Sequence, residues 1–597
     1  MRDWISAWIA NTNSPLNGAS PSSAASAITT DEETSSEATS TCLGGDHGQS
    51  AVSAIPSHIS VPKLLTLFVM LGVVARAVRF YLCFPLWDDE SFLCVNFIDR
   101  SYAELLRPLD YHQVAPVLFL WIERAAVQLL GYSEYSLRLF AFVCSIASVF
   151  LFRRVAERLL SGPALIFAVA IFAVSYPAIR YAAEAKPYGS DMFVSLVMLS
   201  LTVYWLQQRD VRRLWWLTML MPLAVGVSYP AVFAGGGLSL VVGWTLWRER
   251  GTRKNWLAWI AWNLTLVASF VFWFWFAGRT QSGAEGEFMG DFWRLHFPPV
   301  REPWKLPFWM LWTHASDFLA YPLGGPNWAS SVTLLFCFAG LWRMTQKRQF
   351  VLLGLLFGPQ SLHFLAAALQ RYPYGGHVKF SQYLAPMICC IIAVGVVQCM
   401  EWWARRGHSI QRAFALDCAI LAAIGVGVIC RDAAIPYKTR SDYRARSFAQ
   451  AFWFGIQSAE EVLCLKSDLG LDFVPEQHRE LSWSAQFRCN RAIEVSRAHL
   501  RPADLSRVAK DHPLRCVMYR DARFDLDQQS LDRWLADMKT HYELVAHESL
   551  PFPRFAKNDT RLVAMEYVDS YKFIPRNGEL TPSSPPPLAD RRHELRR

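Results

Sequence analysis

Long apolar runs, each near the ~20 residues needed to cross a bilayer, recur from Val61 to Cys430, separated by short polar loops whose edges are rich in Trp and Tyr. The pattern predicts an α-helical polytopic membrane region of about 370 residues. Twelve stretches are candidate spans, but Val114 to Gly131 carries Glu123, Arg124 and Gln128 on one helical face, the pattern of an interfacial helix. Leaving that segment on the surface gathers sixteen basic residues on the cytoplasmic side: Arg153, Arg154 and Arg158; Arg209, Arg212 and Arg213; Arg248, Arg250, Arg253 and Lys254; Arg343, Lys347 and Arg348; Arg405, Arg406 and Arg412. Counting it as a span turns all of them outward, against the positive-inside bias. About 11 transmembrane helices with a cytoplasmic N-terminus follow, the first from about Pro62 to Cys83.

This topology puts on one outer face the loop from Phe84 to Ser133, the turn at Glu184 to Pro187, the segment from Gly278 to Asn327 and the loop from Gln370 to Phe380. Beyond Arg431 the periodicity changes. Runs such as Glu461-Val-Leu-Cys-Leu, Arg515-Cys-Val-Met-Tyr and Arg561-Leu-Val-Ala-Met-Glu-Tyr read as strands among helices, an extracytoplasmic α/β domain. The expected organisation is a disordered tail over residues 1–60, a membrane domain over 61–430, the α/β domain over 431–575 and a disordered tail over 576–597.

Composition adds little to this. The chain is 53% hydrophobic with 25 Trp, as a membrane protein requires, and its +9 charge lies in loop clusters that topology explains better than nucleic-acid binding does. Most of the 13 Cys lie in or at apolar segments with no C-x-x-C pair, as packing residues do. Cys464, Cys489 and Cys516 fall in the outer tail, where an odd number favours reduced, buried thiols.

Chemistry concentrates in Trp87-Asp88-Asp89-Glu90, an acidic cluster directly after the first span. Charge beside hydrocarbon is costly, and its default reading is a pathway or a reaction centre. Downstream stand Tyr111-His112-Gln113-Val114-Ala115-Pro116, Leu130-Gly131-Tyr132-Ser133-Glu134 leading to Leu137-Arg138-Leu139, Tyr181-Ala182-Ala183-Glu184-Ala185-Lys186-Pro187-Tyr188, and Gln382-Tyr383-Leu384-Ala385-Pro386. Their order and spacing resemble the GT-C membrane glycosyltransferases, above all the lipopolysaccharide-core transferases of the RgtA/B/C/D-like group, with aminoarabinose and protein O-mannosyl transferases further off. Two positions depart from the family pattern: Lys186 and Gln382 stand where Arg is usual.

The resemblance implies an enzyme of the cell inner membrane that takes a sugar from a polyprenyl-phosphate donor, with inversion, to a glycan, lipid or protein acceptor. Asp89, matching the family's acidic pair, is then the expected base, with Asp88, Glu90 and Glu184 as further catalytic candidates. Like charges this close should raise at least one of their pKa values. The leaving phosphate needs cations or donors. Lys186 and Tyr188 match the family motif; His112, Lys379, His377 and Arg371 lie in outer loops and complete the lipid-phosphate candidates. His296, His314 and Asp317 have metal-ligand side chains without recognised spacing, so a divalent metal is left open and not predicted. The aromatic segment from Gly278 to Asn327 suits headgroup depth and could cover a lipid chain. A secondary transporter, with polar groups at the midplane and repeated halves, and a non-catalytic binder of lipid-linked sugar are the rival readings.

Overall fold

The computed structural model describes Ile55 and residues 60–283, 293–324, 329–454, 462–465, 478–498, 501–502, 513–521, 528–555 and 562–576. Residues Met1–Gly45 form one unit and Asp46–Arg597 the other; all that follows concerns the second. The two tails expected to be disordered lie almost wholly outside the described residues, as do Phe288 and Phe292 of the aromatic segment.

Among the described residues seven helices are long and apolar enough to cross a membrane, or eight when the bent pair Gly162–Val174 and Tyr176–Ala183 counts as one span. The chain is thus a multi-pass membrane protein. In chain order its helices are α1 (Val61–Tyr81), α2 (Asp88–Cys94), α3 (Val117–Leu130), α4 (Glu134–Leu159), α5 (Gly162–Val174), α6 (Tyr176–Arg180), α7 (Tyr188–Gln208), α8 (Val211–Val227), α9 (Ala231–Arg248) and α10 (Arg253–Trp273). They continue as α11 (Leu306–Thr313), α12 (Ala329–Gln346), α13 (Phe350–Ala368), α14 (Ala385–Ala404), α15 (Ile410–Ala434), α16 (Arg440–Phe454), α17 (His478–Ala498) and α18 (Gln528–His541). Helices α8, α9 and α12, of 17, 18 and 18 residues, lie between the longer spans.

Small residues set the closest helix approaches, as expected where packing rather than water drives association. Gly237 of α9 lies against Gly358 and Pro359 of α13, and Gly340 of α12 against Ile391 and Gly395 of α14, with no room for a Cβ. The ends of the bundle are fastened by charge: Arg79 of α1 pairs with Asp432 of α15 at 2.7 Å, both side chains buried.

Helix α3 is amphipathic, but its buried stripe differs from the expected one. Phe119, Leu120, Glu123 and Val127 share the inner face, and Glu123 is fully buried. Only Gln128 of the three polar residues is exposed; Arg124 reaches inward to the Phe97 carbonyl at 3.0 Å. Glu123 falls at heptad-like spacing from Phe119 and Val127, so helix geometry carries it into the core. Burial there holds its carboxyl well above the ordinary range.

Beyond α15 lies a five-stranded sheet of order β2-β1-β3-β5-β4, from β1 (Val462–Leu465), β2 (Arg501–Pro502), β3 (Leu514–Asp521), β4 (Tyr542–Phe555) and β5 (Leu562–Pro575). Strands β2, β1 and β3 run parallel, and β3, β5 and β4 antiparallel. The described residues of all three runs read as strands lie in β1, β3 and β5. Trp534, Leu535 and Met538 of α18 cover the sheet face carrying Tyr571 and Phe573. The preceding α17 instead packs on α2, where Cys489 and Ile493 join the core formed by Leu93, Cys94, Phe97 and Phe119.

Candidate active site

The site is built around the first turn of α2. Asp88, Asp89 and Glu90 occupy it, where the free amides and dipole of a helix N-terminus favour negative charge. The three carboxylates then part company. Glu90 turns inward: its oxygens accept from Arg138 Nε at 2.8 Å and Nη2 at 2.7 Å, and one also accepts from the Ala185 amide at 2.8 Å. Arg138 donates further to the Phe84 carbonyl at 2.6 Å. With side chains only 1% and 3% exposed, this bidentate pair locks three segments of the family-like pattern together: the acidic loop, α4 and the turn before Lys186. Glu90, a catalytic candidate by sequence, is fully engaged in that lock.

Asp89 points the other way, with 22% of its side chain open, and its two oxygens meet Lys186 at 3.0 Å and Lys379 at 3.2 Å. The expectation of a raised pKa does not hold for it. Burial alone pushes in that direction, but the two ammonium groups outweigh it and hold the carboxyl well below the ordinary range. Neither Asp88 nor Glu90 is among the main influences on Asp89.

Each lysine is positioned by its own loop. Lys186 follows the Glu184 turn, its amide donating to the Glu184 carbonyl at 2.8 Å, and its ammonium also donates to Gln113 Oε1 at 2.7 Å. Gln113 follows Tyr111 and His112, both at positive φ, a costly conformation for residues other than glycine. Lys379 sits in the 3-10 turn Val378–Phe380. The loop before it is tied down by the His296 carbonyl, which accepts from the Tyr374 amide at 3.2 Å. Gly376 there has φ +80, and a Cβ would collide with the His296 ring. Aromatic rings enclose the Lys379 ammonium: Trp293, Phe380 and Tyr188 lie 4.9, 5.3 and 5.7 Å from it.

Beside this centre is a second ionic group. Glu184 pairs with Arg180 at 2.5 Å rather than with Lys186, and its other oxygen is buried without a hydrogen-bond partner among the described residues. Burial opposes ionisation of Glu184, but Arg180 and Lys438 win and lower its pKa. Lys438, in the loop between α15 and α16, lies over the Trp87 ring; burial and Arg180 lower its pKa, with Glu184, Asp89 and Asp442 opposing. Asp442 is raised by burial and by Asp88, and accepts from Gln486 of α17 at 2.7 Å.

The remaining candidates divide. His377 is exposed on one edge at this cleft, where enclosure of the rest of the ring and then Lys379, Arg180 and Lys438 hold its pKa below the histidine range. His112 is exposed. Arg371 is exposed and forms no ion pair with Asp88, Asp89 or Glu184 among the described residues. Gln382 is buried, its amide between the Tyr321 hydroxyl and the Met192 sulfur; the Arg-like charge its position lacks stands nearby in sequence as Lys379. Among the described residues no group of three His, Cys, Asp or Glu side chains gathers as metal ligands do. Sequence reasoning missed Gln113, Arg180 and Lys438, and had Trp293 only as part of the outer aromatic segment. Gln113 was inside a quoted motif, but Lys438 follows the last span with no local pattern to mark it.

No protein-family profile and no curated protein matches the chain. Among solved structures it is similar to the aminoarabinose transferase ArnT of Cupriavidus metallidurans bound to undecaprenyl phosphate, at TM-score 0.46 and 13% identity over 85% of this chain and 98% of that one. It is also similar to the oligosaccharyltransferase of Archaeoglobus fulgidus in its apo form, at TM-score 0.43 and 10% identity over 75% and 65%. A third is AglB of the same organism with an inhibitory peptide and a dolichol-phosphate, at TM-score 0.40 and 8% identity over 87% and 74%. All are membrane glycosyltransferases of the GT-C class.

Proposed function

We propose that this protein is an inverting glycosyltransferase that moves a sugar from a polyprenyl-phosphate donor to an envelope acceptor on the outer face of the inner membrane. The observation that carries the reading is Asp89 held between Lys186 and Lys379 in a partly open cleft, on residues whose sequence pattern resembles that class.

In the resting protein the Asp89 carboxylate occupies the place between the lysines where phosphate oxygens would bind. A phosphodiester donor competes for both ammonium groups, with Gln113 steering Lys186 and the aromatic wall steering Lys379. As they turn to the phosphate, Asp89 loses its counter-charges and becomes more basic. It then takes the proton of an acceptor hydroxyl as that oxygen attacks the anomeric carbon. The bond from that carbon to the phosphate oxygen breaks, and the charge gained by polyprenyl phosphate is met by the lysines. One carboxylate suffices, because phosphate leaves without a proton donor. Arg180, Glu184, Lys438 and His377 line the same cleft, and we assign them to sugar and phosphate contacts.

The topology belongs to this proposal. Eight longer spans and the three shorter helices give eleven crossings, with 61–430 as the transferase domain and 431–575 outside. The convergence of Asp89, Lys186, Trp293, Lys379 and Lys438 from five separate loops, opposite the basic clusters at the other helix ends, supports it.

The test is transfer from a panel of synthetic polyprenyl-phosphate sugars to envelope acceptors, comparing purified wild type with Asp89→Asn. Consumption of one donor by wild type alone is expected. Equal consumption by the variant removes Asp89 as base; donor binding without transfer by either favours a non-catalytic binder.

A further inference from the structure

The junction between α17 and α2 places two cysteines together that no sequence pattern paired. Cys489 of α17 and Cys94 of α2 are both fully buried, in one apolar core. The Cys489 thiol donates to the Ser91 carbonyl at 3.6 Å. Cys94 lies three residues beyond Ser91 on the same helix, and residues so spaced stand one above the other, about 5–6 Å apart at Cβ. A thiol touching that carbonyl therefore lies on the face of α2 from which the Cys94 side chain leaves. Tyr132 adds to this junction: its hydroxyl donates to the Cys94 carbonyl at 3.0 Å. Of the titratable groups around Cys94, Cys489 acts on it most strongly.

We propose that Cys94 and Cys489, thiols in the present structure, are a redox pair that closes to a disulfide on the outer side of the membrane and clamps α17 to the loop bearing Asp88, Asp89 and Glu90. The pairing goes beyond the proposed transfer reaction and rests only on the outward placement of this face, where thiols oxidise. Chemically, before α17 seats on α2 and buries both thiols, one thiolate attacks a sulfur of a disulfide oxidant, releasing one thiol of that oxidant. The second cysteine thiolate then displaces the other, forming the Cys94–Cys489 bond. The two cysteines lose two electrons and two protons; the oxidant becomes two thiols. Neighbouring contacts already favour closure, since Gln486 donates to the Leu86 carbonyl at 3.3 Å and Arg488 approaches Asp110 at 3.9 Å.

The experiment is cysteine mapping of the full chain. Protein is extracted from membranes with N-ethylmaleimide present, denatured, digested and analysed by mass spectrometry, with and without prior reduction. A second sample is first incubated natively with oxidised glutathione. The expected result is a peptide joining Cys94 to Cys489 that disappears on reduction, together with a melting temperature that falls on adding reductant to wild type but not to Cys489→Ser. Full alkylation of both cysteines in the unreduced samples, as isolated and after oxidised glutathione, would overturn the proposal. Neither readout involves sugar transfer, so the outcome is independent of the reaction proposed above.

Discussion

Asp89 and Glu90 are neighbours in the chain and opposites in the fold. One belongs to a partly open cleft where two lysine ammonium groups share a carboxylate; the other belongs to a dry junction where a planar guanidinium holds both carboxylate oxygens. Ion pairs of the second kind are costly to break, because a partner left behind is a buried uncompensated charge. Those of the first kind can be exchanged for a ligand's charge, since their cations need only swing to a new anion. Side-chain exposure separates the two, 22% for Asp89 and 1% for Glu90. Acidic residues clustered in a sequence thus divide into holding and acting groups by where each helix position points.

Breaking the holding half should have the largest effect. Glu90→Gln leaves Arg138 buried and unpaired, which costs about 3–5 kcal/mol, and little folded protein should survive extraction and size-exclusion chromatography. Asp89→Asn should instead still fold and purify, with a melting temperature lowered only by the loss of its two lysine pairs, while transfer falls by roughly 10²–10⁴, the usual worth of a general base. If it unfolds like Glu90→Gln, the division between the two residues fails. Lys186→Met should lower kcat by about 10²-fold, as loss of one group stabilising developing charge does, and weaken donor binding in a filter assay.

Acid titration sharpens the contrast further. With its folded pKa depressed by Lys186 and Lys379, Asp89 adds stability that is present above the ordinary carboxylate pKa, about 3.9, and is lost as pH falls through the depressed value. The acid limb of kcat/KM, which reports the free protein, should therefore lie below the ordinary carboxylate range. Lys379→Gln should move it upward, because one of the two depressing charges is gone. The smallest effect belongs to Arg371→Ala: as an exposed residue without an ion pair to the site, it should change transfer by less than about twofold.

The membrane helices were legible in the sequence because hydropathy is a local property, and the strands Val462–Leu465, Leu514–Asp521 and Leu562–Pro575 likewise announce themselves by alternation. Asp89 and Lys186 were legible because each lies in a short motif. Lys379 followed from its place in an outer loop. The partners were not. Whether Glu184 pairs with Arg180 or Lys186 depends on which side of a turn each side chain leaves, and Lys438 reaches the site only through the packing of the last span. Glu123 misled for a related reason, since three polar residues near one another on a helix do not reveal where the buried stripe ends. The pKa of Asp89 was misjudged because sequence shows the like charges adjacent to it and hides the opposite charges that the fold delivers.

The contact of Gln486 with the Leu86 carbonyl spans 400 positions, and it has a consequence in time. A ribosome delivers the acidic loop early and α17 only after all the long apolar helices. Until then Leu93 and Phe97 lack their cover and the loop bearing Asp89 lacks its final support. The loop is thereby left without its cover while the nascent chain is still threaded through the insertion machinery, and a chain truncated after Ala434 should be unstable.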